Sequence, residues 1–110
     1  MNSRYPVAQE NAPRELERLR AAIDRVDEVL VRLLNQRAKY AIEIGHLKGA
    51  MQLPVYSPDR EQQVLNNVEE LSEGPLDSAT VRRLFERIID ESRRVVREAH
   101  GAGSEVASGE

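Results

Sequence analysis

A single amphipathic stretch decides what this chain can fold into. From Leu16 to about Gly49, apolar residues recur at steps of three and four, the spacing of one helix face, and no proline interrupts them. We predict one helix from about Pro13 to Ala50, with a length of about 55 Å. A compact domain of 110 residues has a radius of gyration of only about 13 Å. The helix is longer than such a body, so we expect it to bury its apolar face against a symmetric partner.

Two cations interrupt this apolar face. Continued at the same spacing, the face passes through Arg37 and Lys48. Burying an unpaired cation is costly, so two cations on one buried face favour an anionic ligand. The alternative is that each side chain extends to water or pairs with a buried glutamate.

Two shorter amphipathic segments follow the long helix. The second helix is predicted over residues 58–71, with Ser57 as its cap and Pro58 in its first turn. The third is predicted over residues 78–99, with Asp77 or Ser78 as its cap. The expected inward apolar residues are Val64, Leu65, Val68 and Leu71 on the second helix, and Val81, Leu84, Phe85, Ile88, Ile89, Val95 and Val96 on the third.

The fold class expected from these segments is all-α, with three helices per chain, one of them very long. We expect a flexible N-terminal arm over residues 1–12, a helical domain over residues 13–99 and a disordered tail over residues 100–110, which is rich in Gly, Ser and Ala.

Composition excludes several classes of function. The net charge of −3 argues against a nucleic-acid interface. The chain has no cysteine, which excludes disulfides and thiolate metal sites. No histidine spacing matches a metal site, so no metal or cofactor is expected. We find no signal peptide and no membrane-spanning stretch, so a cytoplasmic protein without a membrane partner is expected.

Further polar residues lie on or beside the inward faces. Glu61 and Ser92 share those faces, while Arg60 adjoins Glu61 and Arg20 flanks the stripe of the first helix. Taken singly, a first-turn glutamate usually serves the helix N-terminus, and a lone serine usually bonds its own helix. With Arg37 and Lys48, however, the set holds four cations and one carboxylate, which suits a ligand with two carboxylates and a hydroxyl.

No catalytic base or nucleophile stands out in this set. An enzyme built this way would act by positioning and electrostatics, without a covalent step. The arginines of the third helix alternate with acids and are expected to form a solvated basic face: Arg82, Arg83, Arg87, Arg93, Arg94 and Arg97.

An ordered series of motifs resembles the all-helical (AroQ-type) chorismate mutases from about Leu16 to Val96. The motifs are Leu19-Arg20-x-x-Ile23-Asp24-x-x-Asp27, Leu33-Leu34-Asn35-Gln36-Arg37, Ile44-Gly45-x-x-Lys48 and Pro54-Val55-x-x-Pro58-x-Arg60-Glu61. The resemblance implies an intertwined homodimeric helical bundle. It also implies the Claisen rearrangement of chorismate to prephenate, on the route to phenylalanine and tyrosine, with chorismate as the small-molecule substrate.

The resemblance implies roles for the cations. Arg37 would bind one substrate carboxylate, and Arg20 would reach a carboxylate from the other protomer. Lys48 would contact the ether oxygen and a carboxylate. Arg60 would lie near the carboxylate or the ring.

The resemblance also implies roles for the remaining residues of the site. Glu61 would accept the ring hydroxyl, and Ser92 would lie near a carboxylate. Ser57 stands where many members carry Asp. Val96 is a departure, because most members carry Gln or Glu there to donate a second hydrogen bond to the ether oxygen.

Three alternatives stay open. An isochorismate-pyruvate lyase would keep the fold and change the reaction. A regulatory module of low activity would bind chorismate or prephenate for a partner enzyme of the shikimate pathway, and Val96 favours this reading. A purely structural helical dimer would leave the cations at positions 37 and 48 unexplained.

Overall fold

The computed structural model describes residues 11–108, and side chains only as far as residue 101. In this range the chain forms three helices and no strand: α1 over Ala12–Ala50, α2 over Pro58–Leu71 and α3 over Ser78–Ser108. The predicted all-α, three-helix architecture is confirmed. The chain divides into two compact units, Met1–Gln36 and Arg37–Glu110.

Local capping chemistry fixes the starts of α2 and α3. The Ser57 hydroxyl accepts a hydrogen bond from the backbone N–H of Arg60 at 3.4 Å, and proline occupies the first position of α2. The Asp77 carboxylate accepts from the backbone N–H of Thr80 at 2.8 Å. The hydrogen bonds from Thr80 lower the pKa of Asp77. Asp77, rather than Ser78, therefore caps α3.

The C-terminal end of α1 closes in a Schellman motif. The backbone N–H of Leu53 donates to the carbonyl of Lys48 at 2.8 Å, and that of Gln52 donates to the carbonyl of Gly49 at 3.1 Å. Gln52 has a φ of 60°, in the left-handed region that this motif requires at the residue after the cap. The motif turns the chain into the connector of residues 51–57.

The first unit presents an apolar face along α1. Its large apolar residues remain 43–60% exposed within the chain. They recur at helical spacing and are Leu16, Leu19, Ile23, Val26, Leu30, Leu33 and Leu34.

The second unit has a core of its own. Four apolar side chains are at most 9% exposed: Leu65 on α2, and Val81, Ile89 and Val96 on α3. Each stabilises the unit by about 1.5–3 kcal/mol relative to an exposed position. This core holds α2 against α3.

Two apolar residues predicted to be inward are exposed. Leu71, the last residue of α2, is 75% exposed, and Leu84 is 50% exposed. The apolar period places both on the inward face of their helices, but period alone does not distinguish contact from solvent.

The ends of the chain differ from prediction in one respect. α3 continues nine residues beyond Ala99, to Ser108, where the sequence predicted a disordered tail over residues 100–110. A glycine costs a helix only about 1 kcal/mol relative to alanine, so Gly101 weakens the helix without ending it. Residues 1–10 of the predicted N-terminal arm lie outside the described residues. Residues 109 and 110 of the predicted tail do so as well.

None of the three helices in residues 11–108 has the length and apolar character needed to cross a membrane.

Candidate active site

The second unit contains an open cavity of about 310 Å³. The C-terminal third of α1, the connector of residues 51–57, α2 and α3 all contribute to its wall. The residues that line it are Arg37, Tyr40, Ala41, Ile44, Gly45, Lys48, Val55, Tyr56, Arg60, Glu61, Val64, Ile89, Ser92, Arg93 and Val96.

Arg37 lies at one side of this cavity, partly buried. Its Nη1 donates to the Ser92 hydroxyl at 3.0 Å, which joins α1 to α3. Burial lowers the pKa of Arg37, and the neighbouring Arg60 charge lowers it further. A guanidinium stays protonated in proteins, so Arg37 remains a cation with four further N–H donors. Arg37 and Ser92 both line the cavity, and their contacts to a substrate stay predictions.

Lys48 occupies the same helix face further along α1. Its Nζ donates to the backbone carbonyl of Val55 at 3.0 Å. An ammonium carries three donors, so this bond leaves two for a ligand. Lys48 thereby holds the connector at the cavity and contributes a positive charge to its wall.

Glu61 is already engaged by a cation. Arg93 Nη2 donates to Glu61 Oε2 at 2.5 Å, from α3 to α2. The guanidinium of Arg93 also lies over the ring of Tyr56, 4.9 Å from its centroid. The prediction that Arg93 belongs to a solvated basic face is therefore wrong. Its side chain is 34% exposed and lines the cavity.

Other arginines of the predicted basic face differ among themselves. Arg87 and Arg94 pair with glutamates of their own helix, as expected for a solvated face. Arg82 instead pairs with Glu69 of α2 at 3.0 Å, with both side chains partly buried. For Arg82 the solvated-face prediction is also wrong.

Of the remaining predicted site residues, Arg60 is in the cavity wall, and Ser57 and Arg20 are not among its lining residues. Arg60 Nη1 donates to the Gln63 side chain at 2.6 Å. Ser57 acts as the α2 cap. Arg20 belongs to the first unit, where its guanidinium is 3.9 Å from the Glu17 carboxylate and largely exposed.

Val96 forms an apolar part of the wall. It is 7% exposed, and its Cγ1 would lie 2.9 Å from a Cβ placed on the buried Gly45. Only glycine at position 45 permits this approach of α1 to α3 without rearrangement. Val96 is therefore both a core residue and a lining residue.

The cavity is electropositive. Four cations and one carboxylate line it, for a net charge of +3. The sequence predicted the same sum with Arg20 in the set; in the second unit, Arg93 supplies the fourth cation. No group of three His, Cys, Asp or Glu side chains with metal-binding geometry occurs in the described part of the chain.

Sequence reasoning missed Arg93 and the two tyrosines, Tyr40 and Tyr56. The spacing held a signal for Arg93, which follows Ile89 by four residues and precedes Val96 by three. The sequence also raised the pairing of a cation with a buried glutamate. It did not identify Arg93 as that cation.

A family model described as chorismate mutase type II matches residues 19–97. Among curated relatives, the bifunctional chorismate mutase/prephenate dehydratase of Neisseria gonorrhoeae is 45% identical over 78 residues. That match covers 71% of this chain and 21% of the relative. The corresponding Escherichia coli K12 protein is 37% identical over 75 residues, 67% of this chain and 19% of the relative. The chain thus spans about a fifth of the length of these relatives.

Two solved structures resemble the chain along most of their own length. Chorismate mutase (Form II) from Thermus thermophilus has a TM-score of 0.73 and 34% identity, covering 76% of this chain and 94% of that one. Chorismate mutase from Helicobacter pylori, solved in complex with prephenate, has a TM-score of 0.71 and 30% identity, covering 78% and 93%.

Proposed function

The chain belongs to the chorismate mutase type II family, and from this premise we propose that its cavity converts chorismate to prephenate. The reaction is an intramolecular Claisen rearrangement: the ether C–O bond breaks as a new C–C bond forms, and no proton moves. We propose that it serves the biosynthesis of phenylalanine and tyrosine, as the resemblance implies.

One observation carries the proposal: Arg37 and Lys48 are both held, partly buried, in the wall of one cavity. A site for a neutral ligand gains nothing from two partly buried cations, whereas a dicarboxylate matches them. Arg60 and Arg93 add to the same positive field. Chorismate has two carboxylates, a ring hydroxyl and the ether oxygen that must be stabilised.

Positioning is the first contribution to catalysis. The substrate reacts only in its compact diaxial form, and cations that bind its carboxylates from different sides favour that form. Arg37 is the proposed ligand of one carboxylate, with Ser92 beside it. Arg60 is proposed to lie near the carboxylate or the ring.

Electrostatic stabilisation is the second contribution. Negative charge grows on the ether oxygen as the C–O bond breaks, and Lys48 is the proposed donor to that oxygen. A rate acceleration of about 10⁶ requires about 8 kcal/mol. Charge-assisted hydrogen bonds contribute about 1.5–3 kcal/mol each, so a few of them with conformational restriction reach that magnitude.

The remaining roles follow from what each side chain offers. Glu61 Oε1 is proposed to accept the ring hydroxyl, since Arg93 occupies Oε2. Ser57 acts through the α2 cap, which places Arg60 and Glu61 in the first turn. Val96 has no hydrogen-bond donor. Among the residues that line the cavity, Lys48 is therefore the proposed donor to the ether oxygen.

A homodimer is part of the proposal. The apolar face of the first unit is exposed within the chain, and burial of such a face drives helix association. A symmetric copy is the proposed occupant, in the intertwined arrangement that the resemblance implies. Arg20, on the same unit, would then contribute to the site of the other protomer.

A second candidate function rests on Val96. This buried apolar side chain stands where the resemblance implies a donor, which favours a low-activity module working with a partner enzyme of the shikimate pathway. The bifunctional nature of the relatives agrees with such a partner. A cytoplasmic location remains a prediction.

The test is loss of chorismate absorbance on addition of purified protein, with prephenate identified as product. Prephenate formed by the protein alone supports the mutase, whereas a steep gain on adding a partner enzyme supports the second candidate. Incubation with isochorismate, followed for salicylate and pyruvate, separates the lyase. Turnover of neither substrate, with or without a partner, would contradict the proposed activity.

A further inference from the structure

The pair between Arg93 and Glu61 differs from most of the ion pairs on α3. Arg87 and Arg94 bond glutamates three or four residues away on the same helix, with the arginines 76% and 51% exposed. Such pairs contribute little, because water screens them. Arg93 instead reaches a residue 32 positions earlier in the chain, and its side chain and that of Glu61 are 34% and 26% exposed.

The guanidinium of Arg93 is also fixed in orientation. Its Nη2 bonds Glu61, its Cζ lies over the Tyr56 ring, 4.9 Å from the ring centroid, and its Nε is buried without a hydrogen-bond partner in the part of the chain described. Asp90, one turn earlier on α3, lies 3.8 Å from the same Nη2 with its own side chain 61% exposed. A guanidinium that bonds a carboxylate and packs over an aromatic ring has less rotational freedom than one in water.

The consequence falls on Glu61. A carboxylate has two oxygens and about four lone-pair sites. When the group is unrestrained, rotation interchanges the two oxygens, and either one can accept a hydrogen bond. Here Arg93 takes Oε2. Glu61 therefore offers the cavity one oxygen in one orientation, which suits a single hydroxyl donor.

Resting on the proposed function, we infer that Arg93 is a positioning residue: it holds Glu61 so that the free Oε1 accepts the hydroxyl of the substrate. Arg93 acts on the substrate through Glu61, and Tyr56 keeps its guanidinium in place. The site thereby gains a residue that the sequence placed on the solvated surface.

The chain supplies a matched control. Arg82 and Glu69 form the other pair between α3 and α2 in the described residues, at 3.0 Å, with side chains 34% and 28% exposed. Neither residue lines the cavity. Arg82→Gln and Arg93→Gln therefore remove equivalent interhelical pairs, and we expect similar losses of melting temperature from both.

Kinetics with chorismate separates the two variants. Arg93→Gln is expected to lower kcat/KM about ten-fold or more relative to wild type, the equivalent of about 1.4 kcal/mol. Arg82→Gln is expected to leave it within about two-fold, since its partner is outside the cavity. Arg93→Lys, which keeps the charge and can still donate to Glu61 but lacks the planar guanidinium, is expected to recover part of the loss.

A substrate analogue without the ring hydroxyl makes the test specific to positioning. With 4-deoxychorismate, no hydroxyl donates to Glu61, so the kcat/KM deficit of Arg93→Gln should shrink to the part that comes from the lost positive charge in the cavity wall. Equal kcat/KM for Arg93→Gln and Arg82→Gln, or an undiminished Arg93→Gln deficit with the analogue, would overturn the inference. Wild-type turnover of chorismate tests the proposed function separately. If wild type showed none, the same comparison made on prephenate affinity by calorimetry would still decide the role of Arg93.

Discussion

The two units of the chain differ in where their apolar side chains go. In residues 11–36 the apolar face of α1 stays exposed, with Ile23 59% and Leu30 49% accessible. In the second unit, Leu65 and Ile89 are buried, and Ile89 also lines the cavity that holds Arg37 and Lys48. The same helix, with the same apolar period, runs through both. Period alone therefore predicts a helix face but not what covers it. The polar interruptions at positions 37 and 48 lie in the wall of the cavity, which is the proposed ligand site.

The largest expected effect is on dimer formation through the exposed apolar face of α1. Leu30→Asp places a carboxylate in the centre of the apolar face, and each dimer carries two copies. At about 2 kcal/mol for each lost apolar contact, the dimer dissociation constant should rise about a thousand-fold. Sedimentation equilibrium at micromolar concentration measures the change. Ala21→Asp, on the opposite side of the same helix, adds the same charge and should leave the dimer intact. A wild-type monomer with full helicity would refute the dimer.

The next largest effect is on kcat/KM when either cation of the α1 face, Arg37 or Lys48, is removed. Arg37→Ala and Lys48→Ala should each lower kcat/KM at least about a hundred-fold, or about 2.7 kcal/mol, because each removes a charge-assisted contact to the substrate. Arg87→Ala, at an exposed arginine paired with Glu91, is the control and should retain wild-type kinetics. Near-wild-type turnover in both cavity variants would show that the site lies elsewhere.

Val96 belongs both to the core of the second unit and to the wall of its cavity, so one substitution tests stability and catalysis together. Val96→Gln should restore a donor toward the ether oxygen and raise kcat about five- to thirty-fold, or about 1–2 kcal/mol. It should also lower stability, since Val96 packs against Gly45. Steady-state kinetics and urea unfolding of one preparation measure both. A loss of stability without a gain in kcat would make Val96 a packing residue alone.

Two glycines of α1 provide a paired test of the packing in the second unit. A Cβ at Gly45 would meet Val96 at 2.9 Å, whereas one at Gly49 would meet the His100 ring at an ordinary 3.5 Å. Gly45→Ala should destabilise by about 1 kcal/mol, because overpacking exceeds the gain in helix propensity. Gly49→Ala should stabilise by about 0.5–1 kcal/mol. Urea unfolding measures both, and equal signs would contradict the close approach at Gly45.

The smallest effect is expected at the end of α1. Gln52→Gly should stabilise the protein by about 0.5 kcal/mol, because glycine adopts the left-handed conformation of Gln52 without strain but loses more entropy on folding. Gln62→Gly, in the interior of α2, should destabilise by about 1 kcal/mol. A shift in melting temperature reports each; a loss in the first variant would contradict the Schellman geometry.

Local chemistry is what the sequence predicted best. The start of α2 follows from Ser57-Pro58, and the position of Arg37 follows from periodicity. The role of Arg93 did not follow, because it depends on which flank of α3 meets Glu61, a matter of helix packing. The end of α3 was not predicted either. The glycines after Ala99 lower helix propensity but do not prevent a helix from continuing through them.

Arg37 and Lys48 are held by hydrogen bonds within the chain, to the Ser92 hydroxyl and to the Val55 carbonyl. A mobile Arg or Lys side chain has about 2 kcal/mol of rotamer entropy, and much of it would be lost when the side chain binds a ligand. Here that loss occurs when the chain folds. Ligand binding should therefore carry a smaller entropic penalty than two mobile cations would impose, and Ser92→Ala should make calorimetric binding entropy less favourable while leaving every charge in place.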